Sequence, residues 1–254
     1  MSANPTSASS VSPTQALRNP ETIEKEFDAY AAQYEAALNE GLSVSGEGPE
    51  YFAQRRIQWT AEVLKSHSNF DSVLDFGCGV GIATPLLRQY ISPKSILGFD
   101  PSTAAIKRAQ SDFPESDVQF TAISKEIPSN QFDLAYCNGV FHHIMPEDRD
   151  AALATVFRAL KPGGWFAFWE NNPWNPGTRY VMSKIPFDRD AVVISPIEAK
   201  SLLQGAGFKV ERRDAWFLFP RTLSWLRPLE SLFHRMPIGA QYLALAQKPS
   251  KAFD

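Results

Sequence analysis

Short apolar runs alternate along the chain with longer segments in which apolar residues recur every three or four positions. The short runs are rich in β-branched and aromatic residues, which favours buried strands. Helical spacing is clearest before residue 160, where Leu153, Val156, Phe157 and Leu160 fall on one face. Strands are predicted at residues 73–76, 95–99, 118–121, 132–137, 165–169, from 208 onward, and at 239–246.

Start and stop signals separate these elements in the second half of the chain. The Pro-Gly-Gly at residues 162–164 is predicted to end the helix that begins at residue 146. Residues 195–198 form a capping box with proline at the first helical position, which starts another helix. The alternation predicts an α/β fold, a doubly wound and mostly parallel sheet with helices on both faces. At 254 residues and 44% hydrophobic content, a single domain over residues 21–254 is expected.

The N-terminal part differs in composition. Residues 1–20 are rich in Ser, Ala, Pro and Thr and lack an apolar run and a basic leader. A disordered tail is therefore expected there, without a signal peptide or a membrane anchor. Two helices are predicted over residues 21–68. No stretch of the sequence approaches the roughly 20 apolar residues that a membrane-spanning helix needs.

A glycine-rich turn follows the first predicted strand. Gly77, Gly79 and Gly81 occupy alternate positions with Cys78 among them, and Asp75 precedes the first glycine by two. Such glycines let the backbone turn sharply and approach a ligand closely. The spacing differs from that of dinucleotide folds, and the carboxylate suits a cationic amino-acid headgroup better than a pyrophosphate. The turn therefore favours S-adenosylmethionine as the ligand.

A carboxylate ends the second predicted strand. Asp100 lies nineteen positions after Gly81 (100 − 81), where nucleoside-binding α/β folds hold the ribose hydroxyls. Pro101 would lie beside the adenosine, and Ser102 would cap the next helix. The alternative is that Asp100 merely caps that helix. The preceding glycine turn favours the ribose role.

Four segments in order resemble the motifs of class I S-adenosylmethionine-dependent methyltransferases, and the resemblance spans most of residues 50–250. It implies a seven-stranded sheet with an antiparallel last strand, N-terminal helices that cover the site, and methyl transfer from S-adenosylmethionine. A residual resemblance is to quinone-biosynthesis methyltransferases. The family methylates very different acceptors, so the acceptor does not follow from it. The segments are residues 73–81, 98–102, 132–144 and 160–164.

The resemblance also implies further cofactor contacts. Tyr34 and Arg56, in the cover helices, would lie near the methionine end, although ordinary packing explains them equally well. Many relatives carry an acidic residue after strand three that reaches the adenine amino group, and this chain departs from that pattern. Ile123 could still pack on the adenine and Ser124 could hydrogen-bond to it, with Glu126 as a substitute for the acidic residue.

The chemistry is expected beyond the carboxyl ends of strands four and five, where open α/β sheets bind ligands. Asn138 and Gly139 would line the methionine side of the site. His143 or His142 could remove a proton from a hydroxyl acceptor, and Glu170 could orient the histidine or bind the acceptor. Because adjacent residues point in different directions, only one histidine is expected to face the site, and the other to pack or cap.

No metal site is predicted. Magnesium-dependent transfer to catechols calls for clustered oxygen ligands, and Asn171 and Asn172 beside Glu170 bring no second carboxylate. An amide-rich acceptor pocket with Trp174 and Tyr180 as apolar faces is favoured. The prolines of this segment could equally just brace a loop.

Aromatic residues interleave with arginines between residues 216 and 235, within a segment that we call the rim (residues 216–238). The rim could be a lid, a dimer surface or a peripheral membrane contact with its aromatic side chains inserted. Ordinary packing against the sheet is as plausible. The oligomeric state stays open.

Charge and cysteine usage narrow the range of functions. A net charge of −3 and no local basic patch argue against nucleic acid as a partner. Cys78 and Cys137 have no ligand neighbours at metal spacing, so a reducing cytoplasmic location is expected. The favoured function is methyl transfer to a small-molecule or lipid-linked metabolite, preferably at oxygen. The alternatives are N- or C-methylation of a hydrophobic metabolite, aminopropyl transfer, and a non-catalytic partner subunit.

Overall fold

A computed structural model of the chain describes residues 42, 45–67, 69–185, 188 and 191–250. The predicted tail at residues 1–20 and the first of the two predicted helices lie outside the described residues. Those predictions and the domain boundary at residue 21 therefore stay predictions.

The described strands form one seven-stranded sheet with the order β3-β2-β1-β4-β5-β7-β6. Neighbouring strands are parallel except that β7 runs antiparallel to both β5 and β6. This confirms the predicted doubly wound sheet and its antiparallel last strand. The strands are β1 (Ser72–Phe76), β2 (Ser95–Phe99), β3 (Val118–Thr121), β4 (Phe132–Asn138), β5 (Leu160–Asn171), β6 (Lys209–Trp216) and β7 (Gln241–Gln247).

Helices connect the strands, and one precedes them. None of the helices in the described ranges combines the length and the apolar character that crossing a bilayer would require. The α-helices are α1 (Pro49–Leu64), α2 (Thr84–Tyr90), α3 (Thr103–Asp112), α4 (Arg149–Ala159), α5 (Pro176–Lys184), α6 (Pro196–Gly205) and α7 (Glu230–Phe233). Short 3-10 helices cover Ser124–Glu126, Pro146–Asp148 and Arg221–Leu229.

Each face of the sheet carries an apolar layer. Leu74 and Phe76 of β1 belong to the layer that contains Leu153 of α4 and Leu203 of α6. Val73, which precedes them, belongs to the opposite layer, which contains residues of α1, α2 and α3. Because both faces are covered, the central strands are apolar at consecutive positions rather than at alternate ones.

Strand β5 begins earlier than the sequence predicts. Leu160 pairs with Phe132 of β4, and Leu134 pairs with Trp165, so the register shifts between the two pairs. The Pro-Gly-Gly at residues 162–164 therefore lies inside the strand, at this irregularity, with Gly163 at a φ of +82°. Helix α4 ends at Ala159 because the next residue already belongs to the sheet.

The rim connects β6 to β7 and packs against the beginning of α1. The rings of Phe217 and Phe52 lie 4.9 Å apart. The guanidinium of Arg227 lies 4.5 Å from the ring centre of Tyr51 and forms an ion pair of 2.8 Å with Glu47. These contacts bring the rim and α1 together over the carboxyl ends of the central strands.

Candidate active site

One cavity of about 470 Å³ lies beside the glycine-rich turn, and we call it the turn cavity. It lies at the carboxyl ends of β1, β2 and β4, where the strand order reverses. Most of the predicted cofactor residues line it, namely Arg56, Asp75, Gly77, Cys78, Gly79, Asp100, Pro101, Ser102, Ser124, Asn138 and Gly139.

The three glycines of the turn serve different purposes. All have positive φ values, which favour glycine. A Cβ atom on Gly77 would lie 2.2 Å from a methyl group of Val140, whereas one on Gly79 would meet no atom within 4 Å. A Cβ on Gly81 would press on the ring of Phe113 at 2.9 Å, and Gly81 does not line the cavity. Gly79 therefore leaves space for a ligand, and Gly81 is needed for packing.

Asp100 joins the glycine turn to the start of α3. Its Oδ2 atom accepts a hydrogen bond of 3.0 Å from the Gly79 amide, and Oδ1 accepts one of 2.9 Å from the Ser102 amide. The cap of α3 is Ser102, whose hydroxyl oxygen accepts from the Ala105 amide. Capping alone therefore does not account for the position of Asp100 at the cavity wall.

Asp75 and Arg56 supply opposite charges to the turn cavity. Asp75 is 2% exposed, and its Oδ2 atom has no hydrogen-bond partner among the described residues. Burial, and next the charge of Asp100, raise the pKa of Asp75 to about 7. Arg56 donates to Gln241 through Nη1 at 2.8 Å, and its buried Nε atom has no partner among the described groups. An unpaired acid and an unpaired guanidinium nitrogen fit the ammonium and carboxylate of an amino-acid headgroup.

Of the predicted cofactor residues that the structure describes, Gly81 and Ile123 do not line the cavity. Ile123 is 53% exposed and outside the lining, because its amide donates to Thr121 and its carbonyl accepts from Glu126 in a tight turn. Glu126 itself is hydrogen-bonded to Thr121. Tyr34 lies outside the described residues.

A second cavity of about 390 Å³ lies between the rim, α1 and α5, and we call it the histidine cavity. Its wall combines apolar side chains such as Phe52, Met182 and Phe217 with amide groups, including those of Asn171 and Asn175. The two cavities adjoin, since they share the lining residues Pro49, Arg56, Asn138, Gly139 and His143.

Two histidines and two carboxylates meet at the wall of the histidine cavity, and we call them the histidine cluster. His142 Nδ1 lies 2.6 Å from Glu170 Oε2, and His142 Nε2 lies 3.5 Å from Asp188 Oδ1. His143 Nε2 lies 3.3 Å from the same Asp188 oxygen. The imidazole rings are 4.1 Å apart. Glu170 comes from the end of β5, the histidines follow β4, and Asp188 follows α5.

The histidines of the cluster have opposite pKa shifts. Burial alone lowers the pKa of His142, but the charges of Glu170 and Asp188 outweigh it and raise this pKa to about 10. Burial, and next the charge of His142, lower the pKa of His143. Burial raises the pKa of Asp188, but hydrogen bonds from both histidines outweigh it and lower the value to about 2. Near neutral pH the cluster thus contains a cationic His142 and a neutral His143.

The structure differs from the sequence analysis in the surroundings of the histidines. Both histidines line the histidine cavity, although only one was expected to face the site. Asp188 was missed, because it lies 46 positions after His142 (188 − 142) in a segment without a motif. Trp174 and Tyr180, predicted as faces of an acceptor pocket, are 47% and 51% exposed and lie outside the lining of this cavity.

Comparisons with known proteins agree with this arrangement. Residues 74–168 match the family described as a methyltransferase domain. A trans-aconitate 2-methyltransferase of Variovorax paradoxus is 31% identical over 194 residues, which cover 68% of this chain and 74% of that protein. A ubiquinone biosynthesis O-methyltransferase of Pseudomonas fluorescens is 31% identical over 146 residues, which cover 52% of this chain and 60% of that protein.

Solved structures show the same fold. An S-adenosylmethionine-dependent methyltransferase from Mesorhizobium loti superposes with a TM-score of 0.55 over 75% of this chain and 97% of that chain. Its sequence identity of 22% supports the fold alone. With the relatives above, these findings establish that the chain belongs to the class I S-adenosylmethionine-dependent methyltransferases. The predicted family, enzyme class and cofactor are thereby confirmed.

Proposed function

We propose that this enzyme methylates an oxygen atom of a small, largely apolar molecule, either free or lipid-linked, that binds in the histidine cavity. The observation that carries the proposal is the position of His143, which lines both the turn cavity and the histidine cavity. A group at that junction can contact an acceptor while the cofactor occupies the neighbouring space.

The turn cavity would hold the cofactor. Asp100 would accept hydrogen bonds from the ribose, Asp75 would pair with the ammonium group, and Arg56 would pair with the carboxylate. S-adenosylmethionine, when bound, supplies an electrophilic methyl group on a sulfonium. Asn138 and Gly139, at the junction of the cavities, would border the space between donor and acceptor.

The histidine cluster would activate the acceptor. A neutral imidazole has one nitrogen that accepts a proton, so His143 can take the proton of an acceptor hydroxyl. Asp188 would hold the ring of His143, and Glu170 would hold the ring of His142 beside it. In-line methyl transfer also depends on positioning, to which the burial of this cluster would contribute.

Several features support a small apolar acceptor. The histidine cavity has a size typical of small-molecule sites, and its wall is mostly apolar with a few amides. The two relatives are named for trans-aconitate, a small tricarboxylate, and for ubiquinone biosynthesis, and one is named an O-methyltransferase. Both names support a small acceptor, and only the second supports an apolar one. The acidic net charge of −3 disfavours a polyanionic acceptor.

The rim supports an apolar source for the acceptor. Trp225 and Leu232 are 74% and 72% exposed, while Phe217 and Phe219 of the same segment line the histidine cavity. We propose that exposed rim side chains insert into a membrane surface and that lipid-linked acceptors enter past them.

Incubation with ¹³C-methyl S-adenosylmethionine and a fractionated host extract tests the proposal. We expect label in organic-phase or small-molecule fractions, with the methyl resonance of an ether or ester in the NMR spectrum of the product. Label that stays in the macromolecular pellet, or on nitrogen or carbon, would contradict the proposal. Cofactor binding without any labelled product would instead favour a non-catalytic partner subunit.

A further inference from the structure

We propose that His142, His143 and Asp188 form a binding site for one divalent transition-metal ion in the wall of the histidine cavity. Each of the three residues offers one ligand atom, and these atoms all lie within 4.8 Å of one another. Two imidazoles and a carboxylate are ligands that zinc, cobalt and iron(II) accept readily. This proposal departs from the expectation, drawn from the sequence, that the protein has no metal site.

The spacing of the ligand atoms matches a shared ion. Asp188 Oδ1 lies 3.5 Å from His142 Nε2 and 3.3 Å from His143 Nε2. Ligands about 2.1 Å from a metal lie about 3.0 Å apart at right angles and about 3.4 Å apart in a tetrahedron. The two separations from Asp188 therefore suit a shared ion, and the two histidine ligand atoms, within 4.8 Å of each other, would have to lie less than about 4.2 Å apart.

Glu170 provides the support that metal-bound histidines usually have. Its Oε2 atom lies 2.6 Å from His142 Nδ1, the ring nitrogen opposite the proposed ligand atom. Glu170 is itself fixed, because its Oε1 accepts a hydrogen bond of 2.8 Å from the Phe141 amide. A carboxylate that holds Nδ1–H fixes the ring and leaves Nε2 as the ligand atom.

The charges of the cluster suit a divalent ion. Glu170 and Asp188 are 1% and 8% exposed, so two carboxylates are buried beside two imidazoles. An ion of charge +2 would displace the proton of His142, and with both histidines then neutral it would compensate both carboxylates. Buried charges are otherwise costly unless they are paired.

The site would keep coordination positions open toward the cavity. Three protein ligands are typical of zinc sites that also hold water or a substrate oxygen. An acceptor with a hydroxyl, carboxylate or carbonyl oxygen could occupy the open position. With the ion bound, His143 would be a ligand, and the ion would take over the activation of the acceptor by lowering the pKa of the bound oxygen; the base role of His143 would then belong to the metal-free enzyme. The activation of the acceptor by the ion rests on the proposed function, whereas the metal site itself does not.

Cobalt titration of the full chain tests the site without any methyl acceptor. The protein is treated with a chelator, dialysed and titrated with Co²⁺, and visible absorption bands of bound cobalt are recorded. We expect one equivalent of Co²⁺ to bind and one equivalent of Zn²⁺ to displace it. Asp188→Asn and His143→Gln should each weaken binding at least about tenfold.

His67→Gln is the matched control, because His67 is exposed and lies against Trp165, away from the cluster. It should bind Co²⁺ like the wild type, and circular dichroism and thermal unfolding should show that each variant is folded. The absence of stoichiometric binding, or equal binding by wild type, Asp188→Asn and His143→Gln, would overturn the site. Failure of methyl transfer alone would not overturn the metal site, since metal binding is measured separately.

Discussion

The Nδ1 atom of His142 lies 2.6 Å from the Oε2 atom of Glu170, and both side chains are almost completely buried. Replacing Glu170 by Gln keeps the shape but removes the charge that stabilises the imidazolium. We expect a loss of about 3 kcal/mol in the free energy of unfolding, since breaking a buried ion pair leaves one charge uncompensated. Urea denaturation near neutral pH measures this loss.

The exposed pair of Glu62 with Lys65 offers the control for that experiment. Their side chains are 53% and 68% exposed, and exposed pairs contribute less than about 1 kcal/mol. Glu62→Gln should therefore leave the urea midpoint nearly unchanged. An equally small effect of Glu170→Gln would mean that Glu170 and His142 do not form a stabilising pair.

Cofactor affinity should depend on pH through Asp75. Its pKa of about 7 means that the carboxyl is largely protonated in the free protein below that pH. The cationic ammonium group of the cofactor favours the ionised form, so binding is weakened by protonation. We expect the affinity measured by calorimetry to rise about tenfold between pH 5.5 and 7.5. In Asp75→Asn the affinity should be lower at pH 7.5 and nearly independent of pH.

The raised pKa of Asp75 should make the cofactor-free protein less stable as the pH rises, whereas cofactor affinity increases. Because the folded-state pKa is raised from 3.8 to about 7, the stability present below pH 4 is progressively lost as the pH rises to about 7. The loss is on the order of 4 kcal/mol, at about 1.4 kcal/mol per pKa unit. Asp75→Asn should flatten this part of the pH profile in urea denaturation. A profile identical to that of the wild type would exclude Asp75 as its cause.

Asp100 should matter for cofactor binding more than for folding. Asp100→Ala removes the acceptor for the Gly79 and Ser102 amides and, as proposed, the ribose contact. We expect the calorimetric affinity for S-adenosylmethionine to fall at least about tenfold, the worth of one charged hydrogen bond. Glu126→Gln, outside the cavity lining, should bind normally. Unchanged affinity in Asp100→Ala would remove this residue from the ribose site.

Gly77 and Gly79 should respond differently to alanine. In Gly77→Ala the new methyl group would collide with Val140, and we expect a destabilisation of about 2–4 kcal/mol. In Gly79→Ala the methyl group meets open space in the turn cavity, so the cost is limited to about 1 kcal/mol of backbone strain. Gly79→Ala should instead weaken cofactor binding. Thermal unfolding and calorimetry on both variants separate the two effects, and equal destabilisation would contradict this account.

These contrasts indicate which parts of the site the sequence can reveal. Asp75, Gly77 and Gly79 lie in one continuous strand and turn, so their spacing alone predicts that they share a cavity. Asp100 follows because parallel neighbouring strands end at the same sheet edge. Asp188 could not be predicted, since the path of the chain after α5 brings it to the histidines. Ile123 lies outside the turn cavity, in a short turn whose hydrogen bonds the sequence pattern does not reveal.

The exposed rim should decide whether the enzyme associates with membranes. Trp225 and Leu232 project from a segment that also carries arginines, a combination that favours interfacial binding to anionic lipid. We expect sedimentation with anionic phospholipid vesicles to fall several-fold in Trp225→Ser with Leu232→Ser. Ile197→Ser removes one apolar side chain, 62% exposed, from α6 outside the rim, and this variant should sediment like the wild type. If all three proteins sediment equally, or if none does, the rim is not a membrane contact, and the acceptor must reach the histidine cavity from solution.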